Sequence, residues 1–203
     1  MASLDQAQLG EVPAQHRRQP PGGWATRPGV TTLNLELQRT IRDVPDFPKP
    51  GIMFKDITPV LMNAGLFGRT LDALAAPWKT EKIDAVVAIE SRGFLFGAGL
   101  AERLSTSLVL VRKAGKLPYK TIREAYALEY GEAVLELHAD ALKAGHRVLI
   151  VDDLLATGGT AHATAKLVGR QGAVVAGFQF VIELGFLDGG KRLGPTSRAL
   201  VTY

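Results

Sequence analysis

Residues 148–160 read Val-Leu-Ile-Val-Asp-Asp-Leu-Leu-Ala-Thr-Gly-Gly-Thr, and this stretch decides the fold. Positions 148–151 are apolar throughout, which is typical of a strand that is covered on both faces of its sheet. Asp152 and Asp153 come where such a strand is expected to leave the sheet. A turn of small residues and a helix-like stretch at 161–170 follow. The pattern therefore predicts a strand, a turn and a helix in an α/β protein.

The turn and the two acids of this stretch predict a ligand. Small residues allow several backbone N–H groups to converge on one anion, and the N-terminus of the next helix adds the positive end of its dipole. The adjacent carboxylates can hold hydroxyl groups or a metal ion. A phosphorylated sugar needs both features, whereas the alternative is an ordinary corner between a strand and a helix with two solvated acids.

The overall composition indicates a soluble globular protein. The chain has 203 residues, enough for one domain with a sizeable core, and 46% of them are hydrophobic and 22% charged. It contains no apolar run long enough to cross a bilayer and no apparent secretory signal. Cysteine is absent, which excludes disulfides and thiolate metal sites and fits a reducing cytosol. We therefore expect a cytoplasmic protein that binds no membrane.

A cluster of cations stands out from the modest net charge of +4. Its members are Arg112, Lys113, Lys116, Lys120 and Arg123. Such a cluster suits either nucleic acid or a small polyanion such as pyrophosphate. The chain has no RNP-like aromatic signature and no zinc-finger spacing, so we expect the small anion and no nucleic acid.

The first 30 residues differ from the rest because they are rich in proline and glycine and show no sustained apolar period. We predict a flexible N-terminal extension at 1–30 and a single domain at 31–203. A helix is expected to start near Thr32 and to end before Pro45. Strand patterns at 83–89, 108–111, 134–137, 147–151 and 173–182 then alternate with helix patterns at 94–105 and 161–171. This order predicts an α/β fold with a mostly parallel sheet.

Three loops of this arrangement carry charged side chains at the ends of their strands. Ligands of such folds bind at the carboxyl ends of the strands, so Glu90, Arg112 and Asp152 are expected to converge. The loop Glu90-Ser91-Arg92-Gly93 offers a guanidinium for an anion and a glycine that lets the backbone approach a ligand. The strand at 134–137 alternates in polarity, which favours an edge strand or a hairpin.

Four segments resemble the type I phosphoribosyltransferases, and among them the adenine phosphoribosyltransferases. They are Pro-Gly-x-x-Phe-x-Asp-Ile-Thr-Pro at 50–59, Glu-Ser-Arg-Gly-Phe at 90–94, Tyr-x-Leu-Glu-Tyr-Gly at 126–131 and the Asp-Asp to Thr-Gly-Gly-Thr segment at 152–160. The segments occur in the order of the family. The resemblance as a whole extends over about residues 33–193, which is nearly the whole predicted domain.

The resemblance implies a type I phosphoribosyltransferase fold, in which a mostly parallel sheet is flanked by helices and carries a small hood. The hood is expected at about 31–60 and the core at about 61–203. The implied reaction of purine salvage transfers the 5-phosphoribosyl group of phosphoribosyl pyrophosphate (PRPP) to adenine and gives AMP and pyrophosphate. The implied enzyme is a homodimer that uses Mg²⁺, which is held mainly through PRPP rather than by direct side-chain ligands.

The resemblance also assigns roles to residues. Ribose and its 5′-phosphate are assigned to Asp152, Asp153, Ala156, Thr157, Gly158, Gly159 and Thr160. Pyrophosphate is assigned to Glu90, Ser91, Arg92, Arg112, Lys113 and Lys116, with Arg112 sometimes acting across the dimer and a non-proline cis peptide often present in the 90–93 loop. Adenine is assigned to Phe54, which stacks on the ring, and to the backbone of Met53 and Lys55. The catalytic residues are Glu129, which moves the purine proton, Arg92, and Tyr130, which helps to close the site.

Two other functions remain open at this point. One is a sister enzyme that uses hypoxanthine, xanthine or orotate. The other is a regulator that binds PRPP and nucleic acid through the basic cluster and the 1–30 extension, although the complete segment 129–131 speaks against it. The stretch 185–191 resembles a Walker A loop, but Arg192 replaces the required serine or threonine, so we expect only a surface turn there.

Overall fold

A computed structural model describes residues 28–127, 131–194 and 196–203. Its helices are α1 (Pro28–Thr40), α2 (Thr58–Leu61), α3 (Ala64–Ala75), α4 (Gly93–Arg103), α5 (Gly159–Arg170) and α6 (Gly189–Leu193). Its strands are β1 (Arg42–Pro45), β2 (Met53–Asp56), β3 (Ala85–Ile89), β4 (Ser107–Lys113), β5 (Thr121–Ala127), β6 (Glu132–His138), β7 (Arg147–Leu155), β8 (Val174–Glu183) and β9 (Ser197–Thr202). Short 3₁₀ turns cover Ala76–Trp78 and Gly185–Leu187.

Seven strands form the central sheet in the order β5-β6-β4-β3-β7-β8-β9. The five strands from β4 to β9 in this order pair in parallel, whereas β6 runs antiparallel to both β4 and β5. This confirms the predicted α/β fold with a mostly parallel sheet. It also confirms the hairpin that the alternating pattern of 134–137 predicts, with β5 rather than β6 at the edge of the sheet.

Helices cover both faces of the sheet, which explains why the central strand β3 is apolar at every position. All five residues of β3 are buried. Alternate residues face opposite sides, so Val86 joins the core beneath α3 and α4, and Val87 joins the core beneath α5. The same alternation divides Leu149 from Ile150 on β7. The site is therefore built on two rigid, close-packed layers.

An antiparallel pair, β1–β2, lies within the region 31–60 for which the resemblance implies a small hood, and this pair is called the hood below. Helix α1 precedes the pair and packs Leu33 and Leu37 into the core, which Ile41 joins directly after the helix ends. This helix begins at Pro28, inside the stretch 1–30 that the composition assigns to an extension. The remainder of that predicted extension, residues 1–27, lies outside the described residues.

Three local expectations differ from the structure. The motif strand does not end at Val151 but continues to Leu155, because β8 still pairs with it after β3 has ended. The strands β5 and β9 have no counterpart in the sequence prediction. The stretch expected as a surface turn at 185–191 forms a 3₁₀ turn and then α6. Within the described part of the chain, no helix is both long and apolar enough to span a membrane.

Candidate active site

A cavity of about 340 Å³ lies at the carboxyl ends of the parallel strands. It brings together three of the loops that the sequence marks as functional. Its lining consists of Glu90, Ser91, Arg92, Lys113, Tyr126, Leu135, Asp152, Asp153, Leu154, Leu155, Ala156, Thr157, Gly158, Gly159, Thr160, Ala161 and Phe180. The residues predicted to bind ribose and the 5′-phosphate therefore lie close to some of the residues predicted to bind pyrophosphate.

The turn at 156–160 presents the N-terminus of α5 to this cavity. Gly158 adopts a left-handed conformation with φ +77°, which a glycine accepts at little cost. Thr160 donates its hydroxyl to the Tyr126 hydroxyl at 3.2 Å. The helix has 12 residues, so its first N–H groups and its dipole make this turn a suitable anion site.

A second glycine segment supports the turn from behind. Gly189 at the start of α6 is buried, and a Cβ atom built on it lies 2.1 Å from the carbonyl oxygen of Ala156. Real Cβ atoms do not approach a carbonyl so closely, so only glycine fits at this position. The Walker-like stretch is thus not the surface turn expected from its sequence, because its backbone at Gly189 packs against the 156–160 turn.

The two acids of β7 occupy different environments. Asp153 is 4% exposed, and its Oδ2 atom accepts a hydrogen bond from Arg92 Nε at 2.6 Å. The backbone N–H of Asp153 donates to Asp152 Oδ1 at 2.8 Å. Burial, and then the charge of Asp153, raise the pKa of Asp152 well above its ordinary value, against a smaller opposing effect of Arg92. Arg92 is therefore bonded to Asp153, whereas Asp152 is the member of the pair whose pKa is raised.

Gly93 has a different role from the one its sequence suggests. The sequence favours a glycine that lets the backbone approach a ligand. In the structure a Cβ atom on Gly93 would lie 2.7 Å from Asp152 Oδ1 and 3.0 Å from the Val151 carbonyl oxygen. The missing side chain therefore lets the first turn of α4 approach strand β7 itself, and this contact fixes the position of Asp152.

Arg92 connects the core to the hood. Besides its ion pair with Asp153, its guanidinium carbon lies 5.2 Å from the centre of the Phe54 ring on β2. Phe54 also packs edge-on against Phe47 at a centroid distance of 5.0 Å. The contact places the residue predicted to stack on a base beside the residue predicted to bind pyrophosphate.

The other predicted adenine residues, Met53 and Lys55, lie on the same hood strand as Phe54. The Lys55 ammonium is 2.6 Å from Asp43 Oδ1 and 3.6 Å from the centre of the Tyr203 ring, and the side chain is only 11% exposed. The Lys55 charge is therefore already paired with groups of the protein itself. Within the described residues, the hood does not contribute to the lining of the cavity.

Glu90 holds the first two residues of the basic cluster. Arg112 donates from Nε and Nη2 to the Glu90 carboxylate at 3.3 and 3.2 Å, and the N–H of Lys113 donates to it at 2.9 Å. Burial raises the pKa of Glu90, but the Lys113 N–H and Arg112 outweigh burial, so the pKa lies below its ordinary value. The Glu90–Ser91 peptide bond is cis, as the resemblance implies.

The predicted pyrophosphate cations are not equivalent in this structure. Lys113 lines the cavity together with Arg92. Arg112 and Lys116 are absent from the lining as the described residues define it, and Arg112 is bonded to Glu90 and to the Lys116 carbonyl oxygen. Arg112 thus organises its own loop. The predicted catalytic residues Glu129 and Tyr130 lie outside the described residues.

Sequence reasoning did not select Tyr126, although its ring lies against the phosphate turn and lines the cavity. It is the first residue of the Tyr-x-Leu-Glu-Tyr-Gly segment, and its place in that segment is the sequence feature that could have identified it. Leu135, Leu154, Leu155 and Phe180 were also missed. They are apolar strand residues, which no local pattern separates from the rest of the core.

The acid pair offers oxygen ligands of the type that Mg²⁺ prefers. This ion is usually bound by one or two carboxylates together with substrate phosphates and water. Asp152 and Asp153 line the same cavity as the anion-binding turn, so their position fits such a shared ion. Over the described ranges, no group of three or more histidine, aspartate or glutamate side chains has the geometry of a complete metal site.

Comparisons with known proteins agree with this geometry. The family model for the phosphoribosyl transferase domain matches residues 67–193. An adenine phosphoribosyltransferase of Anaeromyxobacter sp. (strain Fw109-5) is 61% identical over 176 residues, which cover 86% of this chain and 99% of the relative. The corresponding protein of Myxococcus xanthus (strain DK1622) is 55% identical over 164 residues, which cover 81% of this chain and 89% of the relative.

Solved structures extend the similarity to three dimensions. An adenine phosphoribosyltransferase from Thermoanaerobacter pseudethanolicus superimposes with a TM-score of 0.81 at 52% identity, covering 83% of this chain and 99% of that one. The Saccharomyces cerevisiae enzyme, solved with adenine and an imino-altritol bisphosphate, gives a TM-score of 0.79 at 41% identity, with coverage of 84% and 99%. The chain therefore belongs to the phosphoribosyltransferase family, among the adenine phosphoribosyltransferases.

Proposed function

We propose that this protein transfers the 5-phosphoribosyl group of PRPP to adenine, forming AMP and pyrophosphate in purine salvage. The observation that carries the proposal is the cavity in which the acid pair, the N-terminus of α5 and the cations Arg92 and Lys113 converge. A phosphorylated sugar with a pyrophosphate leaving group needs these three features together. The names of the relatives and the adenine bound to the yeast enzyme support the choice of base.

The sugar phosphate is assigned to β7 and the turn after it. Asp152 and Asp153 hold the ribose hydroxyls, and the turn at 156–160 binds the 5′-phosphate through its N–H groups. The ion pair of Asp153 with Arg92 supports this role, because it fixes one carboxylate before the substrate arrives. Preorganised polar groups contribute more than groups that must reorient during the reaction.

The pyrophosphate is assigned to the 90–93 loop and to the basic loop. Arg92 and Lys113 neutralise its charge directly, Lys116 adds a nearby cation, and Glu90 and Ser91 shape the loop. Arg112 supports the loop from within its own chain through Glu90 and Lys116. When Mg²⁺ is bound, it spreads the charge of the leaving group further, and Asp152 and Asp153 are the protein groups nearest in type and position to help hold it.

The base is assigned to the hood and to the segment 126–131. Phe54 stacks on adenine, the backbone of Met53 and Lys55 reads its edge, Glu129 accepts its proton and Tyr130 closes the site. In the reaction the bond between ribose C1 and the pyrophosphate oxygen breaks, and its electron pair leaves with pyrophosphate. The purine nitrogen forms the new bond to C1 and gives up its proton. Closure matters because water would capture the oxocarbenium-like transition state.

The homodimer rests on the family resemblance, and the cytoplasmic location rests on the absence of cysteine. Gel filtration with light scattering tests the first. Fractionation of cells that produce the protein tests the second.

The catalytic proposal is tested by incubating the full chain with PRPP, Mg²⁺ and adenine and measuring AMP. Hypoxanthine and guanine are run beside adenine, and removal of Mg²⁺ by a chelator should abolish turnover. The expected result is that adenine is converted to AMP and that hypoxanthine and guanine are not consumed. Consumption of hypoxanthine but not adenine would overturn the base assignment, and retention on a nucleic-acid column without consumption of any base would overturn the enzyme assignment.

A further inference from the structure

We propose that Glu136 is a positioning residue that holds the basic loop in the conformation that binds pyrophosphate. The inference rests on the proposed function, because it concerns the leaving group of the same reaction. Glu136 lies in the middle of β6, and nothing in the sequence pattern marks it except one polar residue among apolar ones. In the structure it is only 1% exposed, although it is a carboxylate.

Both oxygens of this carboxylate are used. Oε1 accepts the backbone N–H groups of Lys116 and Leu117, each at 2.9 Å. Oε2 accepts the Thr121 hydroxyl at 3.4 Å and lies 3.4 Å from Arg123 Nε. A buried carboxylate requires such compensation, since an unpaired one costs several kcal/mol.

The peptide groups of Lys116 are fixed from two sides. The N–H of Lys116 points to Glu136, and its carbonyl oxygen accepts Nη1 of Arg112 at 3.0 Å. Arg112 is in turn held by Glu90, which also accepts the N–H of Lys113. Two carboxylates therefore clamp the backbone of the loop, Glu90 where the loop begins at Lys113 and Glu136 in its middle at Lys116 and Leu117.

The strand register explains how one side chain reaches so many partners. Glu136 pairs with Arg112 on β4 and with Arg123 on β5, so it lies between two cations in a three-stranded layer. The loop between β4 and β5 folds back over this layer. A carboxylate here offsets the repulsion among the cations: it pairs with the Arg123 side chain, and its bond to Lys116 goes to the backbone N–H rather than to the ammonium group.

The protonation state supports the same role. Burial raises the pKa of Glu136, but the N–H groups of Leu117, Gly115 and Lys116, together with Arg123, outweigh burial and hold the pKa below its ordinary value. Glu136 is therefore ionised near neutral pH. Its stabilising contribution is present above the pKa of an unfolded glutamate, about 4.3, and is lost as the pH falls through the lower folded value.

This arrangement predicts a selective defect rather than a general one. Glu136 contacts the loop assigned to pyrophosphate and neither the turn assigned to the 5′-phosphate nor the hood. Loss of its charge should loosen the backbone at 115–117 and displace the nearby cations. Ligands that carry pyrophosphate should bind more weakly, whereas AMP, which fills the other half of the site, should bind as before.

The test compares Glu136→Gln with the matched variant Glu124→Gln. Glu124 lies on the neighbouring strand β5 and pairs with Lys166 and Arg170 of α5, so it controls for loss of a partly buried ion pair in the same hairpin. Titration calorimetry measures magnesium pyrophosphate and AMP binding to each full-length protein. Glu136→Gln should weaken magnesium pyrophosphate roughly tenfold or more and raise the KM for PRPP, because hydrogen bonds to a charged acceptor are lost.

AMP affinity and the KM for adenine should remain within about twofold of wild type in Glu136→Gln, and Glu124→Gln should leave all four quantities unchanged. Equal losses for AMP and pyrophosphate, or no loss for pyrophosphate, would overturn the inference. A second measurement needs no variant: amide hydrogen exchange in the unliganded wild type should show protection at Lys116 and Leu117. Fast exchange at both amides would also overturn it, even where Glu136→Gln does not fold.

Failure of the proposed function is distinguishable from failure of this inference. A wild-type protein that makes no AMP from adenine and PRPP contradicts the proposed function. If pyrophosphate binding nevertheless depends on Glu136, the positioning role of Glu136 is supported, because the calorimetric measurement requires no turnover.

Discussion

At the scale of single residues, the acid pair shows that neighbouring groups determine the pKa and the ion pairing of a carboxylate. Asp152 and Asp153 are identical in type and adjacent in sequence, yet only Asp153 has a direct ion pair with Arg92. The pKa of Asp152 is raised by burial and by the charge of Asp153. The sequence predicts a ligand site at the pair, but it does not distinguish the environments of its two members.

We expect Asp152→Asn to stabilise the unliganded protein and to weaken PRPP binding. A raised folded-state pKa means that the fold is most favoured when Asp152 is protonated, and that this stability is lost as the pH rises through the folded pKa. Asparagine removes that loss, so the melting temperature should rise by a few degrees near pH 8. Thermal unfolding at a series of pH values measures the effect.

The difference from wild type should shrink as the pH approaches about 4, where aspartate is protonated even in the unfolded chain. Asp153→Asn is the matched control, because it breaks the ion pair with Arg92 and should lower the melting temperature. A lower melting temperature for Asp152→Asn at pH 8 would contradict the argument from burial. Unchanged PRPP affinity in both variants would remove the acids from the ribose site.

At the scale of elements, close contacts between backbones determine the shape of the phosphate turn. The N-terminus of α6 lies directly behind the turn that starts α5, and no side chain fits between them. The turn is therefore positioned by an element that follows it by about 30 residues. Its own glycines allow the required backbone angles but do not select its position.

We expect Gly189→Ala to weaken AMP and PRPP binding together. The new methyl group would lie 2.1 Å from the Ala156 carbonyl oxygen, so the turn or α6 must shift. Overpacking of this kind costs about 1–3 kcal/mol of stability and misplaces the N–H groups that face the phosphate. Denaturant unfolding and calorimetry with AMP measure the two effects.

Gly68→Ala provides the control for this substitution. Gly68 lies within α3, and a Cβ atom there meets no atom within 4 Å. Alanine should stabilise that helix by about 0.5–1 kcal/mol and leave ligand binding unchanged. Wild-type AMP affinity in Gly189→Ala would show that α6 does not support the turn.

At the scale of the whole molecule, Tyr203 joins the hood to the core. Its N–H donates to the Glu183 carbonyl oxygen at 3.0 Å, and its own carbonyl oxygen accepts the N–H of Gly185 at 2.9 Å. Its ring lies beneath the Lys55 ammonium, and its hydroxyl is 3.5 Å from the Gln38 carbonyl oxygen. One residue therefore contacts α1, the hood strand β2 and the end of β8.

We expect Tyr203→Ala to raise the KM for adenine several-fold while PRPP affinity stays near wild type. A cation–π contact of a partly buried lysine contributes about 0.5–2 kcal/mol, and its loss frees the strand assigned to the base. Tyr203→Phe should behave like wild type, because it keeps the ring and loses only one long hydrogen bond. Steady-state kinetics with each substrate varied separately measures the effect, and an equal rise in both KM values would contradict it.

Much of the site was predictable because its chemistry is local. The apolar run at 148–151, the acid pair and the turn at 156–160 lie within 13 residues of one another, so one pattern identifies the strand and predicts an anion site and a sugar site beside it. The fold class followed from the alternation of strand and helix patterns. The strands β5 and β9 were missed because they pair at or near the edges of the sheet, where half-exposed residues give a weak pattern.

The sequence by itself determined the α/β class and the family, and it predicted the types of residue for the ligand site, because each depends on residues close together in the chain. The tertiary structure alone decided how these residues support one another. Arg92 and Asp153 are 61 positions apart, and Glu136 meets its loop 19 and 20 positions away. Such contacts depend on strand order and register, which bring distant segments together, and no local pattern specifies that order.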